Sequence, residues 1–205
     1  MDGVLVDSGD VHFMAWSKLG EEIGVPHTRA FFDSTFGMHN DQIFPLWLGD
    51  IEAQEMARMA GRKEALYRDL APTRLRALEG ATELVQALHR ECIPLAVGSS
   101  GPLANVALIL RILGIEKCFS ALSTGEDVTH GKPHPQVFQV AAQRLGVEPS
   151  ACLVVEDAPQ GIEAARRAGM KVVAVTSSRP AAELPADLVV TSLLELSVSR
   201  LRSLV

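Results

Sequence analysis

Aromatic residues make up only 5% of this 205-residue chain, with a single tyrosine, two tryptophans and three cysteines. Cys92, Cys118 and Cys152 are odd in number, far apart and outside any C-x-x-C pattern, which excludes a disulfide framework and a zinc ribbon and predicts buried thiols in a reducing compartment. Positive charge is scarce too. Nineteen Lys and Arg stand against twenty-five Asp and Glu, for a net charge of −6, and only Arg166-Arg167 forms even a pair. A nucleic-acid partner, which needs a dense basic stripe, is therefore not expected. No apolar run reaches the ~18 residues of a membrane span, because Arg111 interrupts even segment 104–115. The amino terminus opens on an acidic, loop-like stretch rather than a basic region followed by an apolar one, so a cytoplasmic location is expected. Walker A and G-x-G-x-x-G patterns are absent, and Gly98-Ser99-Ser100-Gly101 is one residue short of a serine-hydrolase elbow. His130 and His134 are four apart, but Gly131 and Pro133 deny them the helix that would align two zinc ligands.

What is present has two textures. Residues 10–79 read as all-helical, with Trp16, Leu19 and Ile23 on one face and a long charged helix over 51–70. Gly24-Val25-Pro26 and Ala71-Pro72 punctuate this region, and Pro45 is expected to break or kink a helix over 41–48. From Gly80 onward short β-rich runs alternate with helices. Strands are predicted at 93–97, 120–122, 152–155, 172–175 and 188–190, with helices at 81–91, 102–113, 135–145, 160–168 and 193–201. Such alternation predicts an α/β doubly wound parallel sheet covered on both faces.

Ligands of such sheets sit beyond the carboxyl ends of the strands. Three segments fall there. Glu156-Asp157 follows an apolar strand, and two adjacent carboxylates would repel unless a cation joined them; Mg²⁺ takes such oxygen ligands. Asp157 could equally cap the next helix, ahead of Pro159. Lys132, between Gly131 and Pro133, is either a point charge aimed at an anion or an ordinary turn lysine. Ser99-Ser100-Gly101-Pro102 reads as a strand end and cap leading into a helix whose free N–H groups could hold an anion, or could be capped with no ligand at all.

The order of these segments carries more than any one of them. Asp2-Gly3-Val4-Leu5-Val6-Asp7-Ser8, then Ser99, then Gly131-Lys132-Pro133-His134-Pro135-Gln136-Val137-Phe138, then Glu156-Asp157-Ala158-Pro159-Gln160-Gly161-Ile162, resemble the four motifs of the haloacid-dehalogenase-like (HAD) superfamily. The likeness is to the branch with an inserted helical cap, which holds small-molecule phosphatases and β-phosphoglucomutases, and it covers the whole chain. It implies a core domain at 1–9 and 80–205 and an all-helical cap at 10–79. It also implies a Mg²⁺-dependent phosphoric monoester hydrolase acting on a small phosphorylated metabolite, monomeric, through a phospho-aspartyl intermediate. By position, Asp2 would be the general acid/base and lend its carbonyl to the metal. Glu156 and Asp157 would complete the metal site, Ser99 would bind the phosphoryl group with Ser100 beside it, and Lys132 would neutralise that group. An aspartate at position 2 implies phosphate chemistry rather than dehalogenation. His12, Gly37, Asn40 and Lys63 match cap positions that hold the substrate. The mutase pattern has a phosphate-binding arginine where Asn40 stands, so a sugar phosphomutase is the alternative rather than the first expectation.

The likeness has one departure. The pattern is D-x-D-G, its first aspartate is the nucleophile, and Met1 stands at x. The core is thus expected to lack its first strand. Either the natural chain reaches roughly seven to ten residues further upstream, through a strand of about 5–6 residues, or the protein is an inactive remnant.

Overall fold

The computed structural model describes residues 1–38 and 40–205; His39, between Gly37 and Asn40, lies outside them. The chain divides into two compact units, Met1–Asp7 with Arg76–Val205, and Ser8–Leu75.

The second unit is helical: α1 Gly9–Ile23, α2 Arg29–Thr35, α3 Asn40–Leu48 and α4 Ala53–Arg74. Its core is aromatic. Trp16, Phe32, Phe44 and Tyr67 are all buried. Two proline expectations need correcting. Helix α3 continues through Pro45 and α4 through Pro72. A proline removes only one ladder donor, and flanking bonds such as Gly49 N–H to the Pro45 carbonyl (3.0 Å) and Leu75 N–H to the Ala71 carbonyl (2.9 Å) keep each turn closed.

The first unit carries the strands. β1 Val6–Asp7 pairs antiparallel with β2 Arg76–Ala77, a two-residue clasp where the chain leaves this unit and returns to it. β3 Ala96–Gly98 pairs in parallel with β4 Ala121–Ser123. β5 Leu153–Glu156, β6 Lys171–Val175 and β7 Leu188–Val190 form a second parallel set in that order. Helices α5 Ala81–Arg90, α6 Leu103–Leu113, α7 Gln136–Leu145, α8 Pro159–Arg167 and α9 Val198–Arg202 lie between or after the strands. The amphipathic α5 and α8 bury Leu84, Val85, Ile162 and Ala165. The predicted α/β parallel architecture is present, as two parallel sets with no hydrogen bonds joining β3 to β5.

Two of the boundary shifts have a clear local cause. The first strand of the alternation starts at Ala96, not at 93, since Pro94 has no N–H to give a ladder. The helix expected over 193–201 is a single turn, Leu193–Glu195, followed by α9. Ser197 is the reason: its hydroxyl accepts from the Arg200 N–H (3.2 Å) and restarts the helix with a new N-cap.

Candidate active site

Parallel pairing puts the carboxyl ends of strands together, and the polar residues of the first unit gather there. β5 ends in Glu156, and Asp157 follows; both are buried. Lys132, on the loop before α7 and next to a cis peptide bond with Pro133, forms an ion pair with the Glu156 carboxylate. Its ammonium also lies 4.8 Å from the Phe138 ring centre. The same ring fills the space in front of Gly98, where a Cβ would collide with it. Lys132 is thereby tied to the end of β3, where Ser99 follows.

The carboxylate Oε2 of Glu156 also accepts from the Asp157 N–H (3.1 Å) and the Ala158 N–H (3.4 Å). Burial pushes the Glu156 carboxyl up, but Lys132, the chain's amino group and the Asp157 N–H outweigh it and hold the group below its ordinary value. Asp157 goes the other way. Burial, then the neighbouring Glu156 charge, push it up to about 6. The two adjacent carboxylates therefore meet the Lys132 ammonium and feel the charge of the chain's amino group, and Asp157 is the less fully compensated of the two.

Two glycines make the room. A Cβ on Gly161 would fall on the Glu156 carboxylate, and one on Gly3 would fall on the Asp157 carboxylate. Gly3 also sits at φ +65, in the left-handed region. Asp2, in a bridge with Val6, stands directly before it. Ser177 donates its hydroxyl to the Gly3 carbonyl, and Ser178 donates to the Asp157 carbonyl at 2.8 Å. These two serines follow β6 and were missed from sequence, although the strand-end rule that selected Ser99 and Glu156 applies to them equally.

Three readings left open by sequence are now resolved. Asp157 does not cap the next helix; the N-cap of α8 is Ala158, and no side chain bonds there. Ser99 is buried and accepts the Gly101 N–H (3.1 Å). The N-terminus of α6, expected as an anion site, already faces an anion of the protein's own: the Leu103 N–H donates to Glu126 (3.3 Å). Ser100 is half-buried, its carbonyl close against Gly125. The His130 and His134 rings lie tilted with centres 4.8 Å apart, and His134 Nδ1 accepts from the Gln136 N–H, as befits loop residues.

The cap-position residues form a second polar cluster, in the helical unit. Lys63 is buried, with its ammonium 3.0 Å from His12 Nδ1 and 2.9 Å from Glu64. An ammonium can only donate, so Nδ1 accepts and the imidazole proton sits on Nε2. His12 stacks on Tyr67 at 4.1 Å. Asn40 donates its amide to Glu64 (2.8 Å). Burial raises the Glu64 carboxyl, but Lys63 and the Asn40 amide help hold it below its usual value. Gly37 stands apart, at φ +93, and among the described residues a Cβ there would meet open space. Sequence reading named His12, Asn40 and Lys63 but not Glu64, the acceptor on which Asn40 and Lys63 meet.

Comparison with known proteins decides the family. Residues 1–169 match the haloacid dehalogenase-like hydrolases. The chain belongs to that family. It is 33% identical over 211 residues to the β-phosphoglucomutase of Bacillus subtilis, covering 98% of this chain and 91% of that one. It is 37% identical over 207 residues to a chloroplastic 5-amino-6-(5-phospho-D-ribitylamino)uracil phosphatase of Arabidopsis thaliana, covering 99% of this chain. It spans little more than half, 56%, of that relative's length. The crystal structure of a family IA, variant 3 HAD hydrolase from Entamoeba histolytica superposes with a TM-score of 0.90 at 26% identity, over 100% of this chain and 96% of that one.

The family implies a magnesium ion, and the donor set can be tested against it. Among the described residues no group of three or more His, Cys, Asp and Glu side chains converges as a metal cage. Mg²⁺ does not require one; it is usually held by one or two carboxylates together with waters and substrate phosphate. Two adjacent buried carboxylates, in space that Gly3 and Gly161 keep open, fit that habit. Among the described residues no helix of this hydrolase is long and apolar enough to cross a membrane.

Proposed function

We propose that this chain carries the phosphoryl-transfer site of a Mg²⁺-dependent phosphoric monoester hydrolase acting on a small sugar or polyol phosphate. The observation that carries the reading is the cluster at the strand ends, where the buried, adjacent carboxylates of Glu156 and Asp157 meet the half-buried Lys132, paired with Glu156. Glu156 and Asp157, with the Asp2 carbonyl, would hold Mg²⁺, which supplies charge neutralisation at the phosphoryl oxygens when bound. Lys132 is fixed by Glu156, so its remaining N–H groups are aimed rather than free to wander, and they bind the transferring oxygens. Ser99 orients the same group by hydrogen bonding. Asp2 protonates the leaving oxygen and later takes a proton from water. By the D-x-D-G pattern an aspartate two positions before Asp2 would be the nucleophile and would carry the phospho-aspartyl intermediate.

His12, Lys63, Asn40 and Gly37 are the substrate-binding residues of the helical unit. The alternative is a sugar phosphomutase, supported by the Bacillus subtilis relative. Against it stands Asn40, a neutral amide already tied to Glu64, at the place where a mutase needs a cation for a second phosphate. Two further relatives are named as phosphatases of phosphorylated small molecules, the chloroplastic enzyme and a validoxylamine A 7′-phosphate phosphatase of Streptomyces hygroscopicus.

The test is a matched trio: the 205-residue chain, the chain with an apolar strand and aspartate added before Met1, and the same with asparagine. Phosphate release from a panel of hexose, pentose and polyol phosphates is expected from the aspartate form alone. Conversion of β-glucose 1-phosphate to glucose 6-phosphate with little free phosphate would establish the mutase instead. No turnover from any form would establish an inactive remnant.

A further inference from the structure

The loop that carries Lys132 also carries two exposed histidines, His130 and His134. Gly131 and Pro133 keep this segment from forming a helix, yet the two rings meet all the same, with centres 4.8 Å apart and planes inclined at 46°. Two anchors bring them together. The Gln136 carboxamide oxygen accepts from the His130 N–H (3.2 Å) and from the N–H and hydroxyl of Thr129 (3.0 and 3.1 Å). The His134 N–H closes a turn onto the Gly131 carbonyl (3.0 Å). Gln136 is the first residue of α7, so the pair is braced against a helix rather than hung on a free loop.

The separation suits one shared ion. A ligating imidazole nitrogen lies about 2.0–2.1 Å from zinc, which puts each ring centre about 3.2 Å from the ion and two centres about 4.5–5.2 Å apart at tetrahedral or octahedral angles. The observed 4.8 Å falls inside that range, and the tilt is neither that of a parallel stack nor that of an edge-on pair. Among the described residues the His130 ring holds no hydrogen bond. His134 gives up one: its Nδ1 accepts the Gln136 N–H at 3.3 Å, longer than the usual range. A half-turn of that ring leaves its centre in place, moves the proton to Nδ1 and frees Nε2 for the ion. Lys132 lies between the two histidines in sequence, but its ammonium is drawn to Glu156 and the Phe138 ring instead.

We propose that His130 and His134 form a two-imidazole site for a borderline divalent ion of the Zn²⁺ or Ni²⁺ kind, separate from the strand-end carboxylates. No third His, Cys, Asp or Glu joins them among the described residues, so water completes the coordination sphere. Imidazole nitrogen suits these ions, whereas Mg²⁺ takes oxygen, so the two sites select different metals. Joining positions 130 and 134 through an ion closes the loop around Lys132 and stiffens the segment from which that lysine reaches Glu156. The site goes beyond the hydrolase reading and does not depend on it.

The test is calorimetric titration of the 205-residue chain with Zn²⁺ and with Ni²⁺, Mg²⁺ being present in excess to fill the strand-end carboxylates. A single equivalent of either ion is expected to bind. His130→Gln and His134→Gln should each weaken binding at least about 10-fold, and the double variant should abolish it. Both side chains are exposed, so the melting temperature should hold. His89→Gln, which removes an exposed imidazole from α5, should change nothing. Ni²⁺ should broaden the ring-proton resonances of His130 and His134 and leave those of His89 sharp. With Zn²⁺ bound, amide exchange at His134 should slow about 10-fold in the unaltered chain but not in the double variant. Binding that survives the double variant overturns the proposal, as does binding lost instead in Asp157→Asn, which would place the ion at the carboxylates. Failure of the unaltered chain to bind either ion overturns it as well. No readout uses catalysis, so failure here and failure of the hydrolase reading are separate results.

Discussion

Each unit of this hydrolase pairs one lysine with a glutamate, and the two lysines are set up for opposite tasks. Lys63 meets one carboxylate, one imidazole acceptor and, through Glu64, one amide, so charge and hydrogen bonding close within the cluster. Lys132 meets Glu156, but Asp157 stands next to it with its carboxyl driven upward by burial and by Glu156. The helical cluster is balanced. In the strand-end cluster burial and the Glu156 charge disfavour the ionised Asp157, and a metal ion bound there would relieve that.

The comparison breaks most directly at the lysines. Lys132→Met leaves Glu156 buried without its cation and is expected to cost about 3–5 kcal/mol, with Mg²⁺ restoring much of the lost Tm. Lys63→Met should cost less, because Glu64 keeps the Asn40 amide, and Mg²⁺ should restore none of it. Thermal melts with and without Mg²⁺ decide; equal rescue of both variants would erase the distinction between the clusters.

Gly161→Ala comes next. Its new Cβ would overlap the Glu156 carboxylate, so a loss of about 1–3 kcal/mol is expected, together with weakened Mg²⁺ binding by calorimetry. Asp157→Asn runs in the other direction. Removing the Asp157 charge should stabilise the metal-free protein by about 1 kcal/mol, or about 2–4 °C, while abolishing any Mg²⁺-induced rise in Tm.

The smallest effect belongs to His27 of the helical unit. It is buried, stacked on Trp16, and neither ring nitrogen has a partner among the described residues. Burial, then the Lys63 charge, lower it from 6.5 to about 4. A depressed histidine contributes full stability above pH 6.5 and loses it as pH falls toward 4, because the unfolded chain takes up the proton first. His27→Phe should flatten that part of the stability curve in denaturant titrations; an unchanged slope between pH 6.5 and 4 would show that His27 is not its source.

Much of this was legible in the sequence because it rests on local chemistry. The strand–helix alternation after Gly80 follows from short apolar runs and their breaks, and the order of Asp2, Ser99, Lys132 and Glu156-Asp157 pointed to the family. What sequence could not give was partnership. Glu64 looks like any charged residue on a long helix until Asn40, from another helix, joins the neighbouring Lys63 on it. Asp157 looked as much like a cap as a ligand, and only the backbone of Ala158 separates those roles. Pro45 and Pro72 misled for the opposite reason: a local rule about prolines was applied where helix ends and packing override one missing bond.

The clasp formed by β1 and β2 has a consequence for how such chains diversify. Val6 lies opposite Ala77 and Asp7 opposite Arg76, so the points where the chain departs and returns are neighbours on one small ribbon. A segment hung between neighbouring anchors can change length cheaply; doubling it adds only about 0.6 kcal/mol of closure entropy. Residues 8–75 are therefore an exchangeable cassette as far as the anchors are concerned. Swapping them for the corresponding stretch of a relative would leave the strand-end residues under the same two-residue lock.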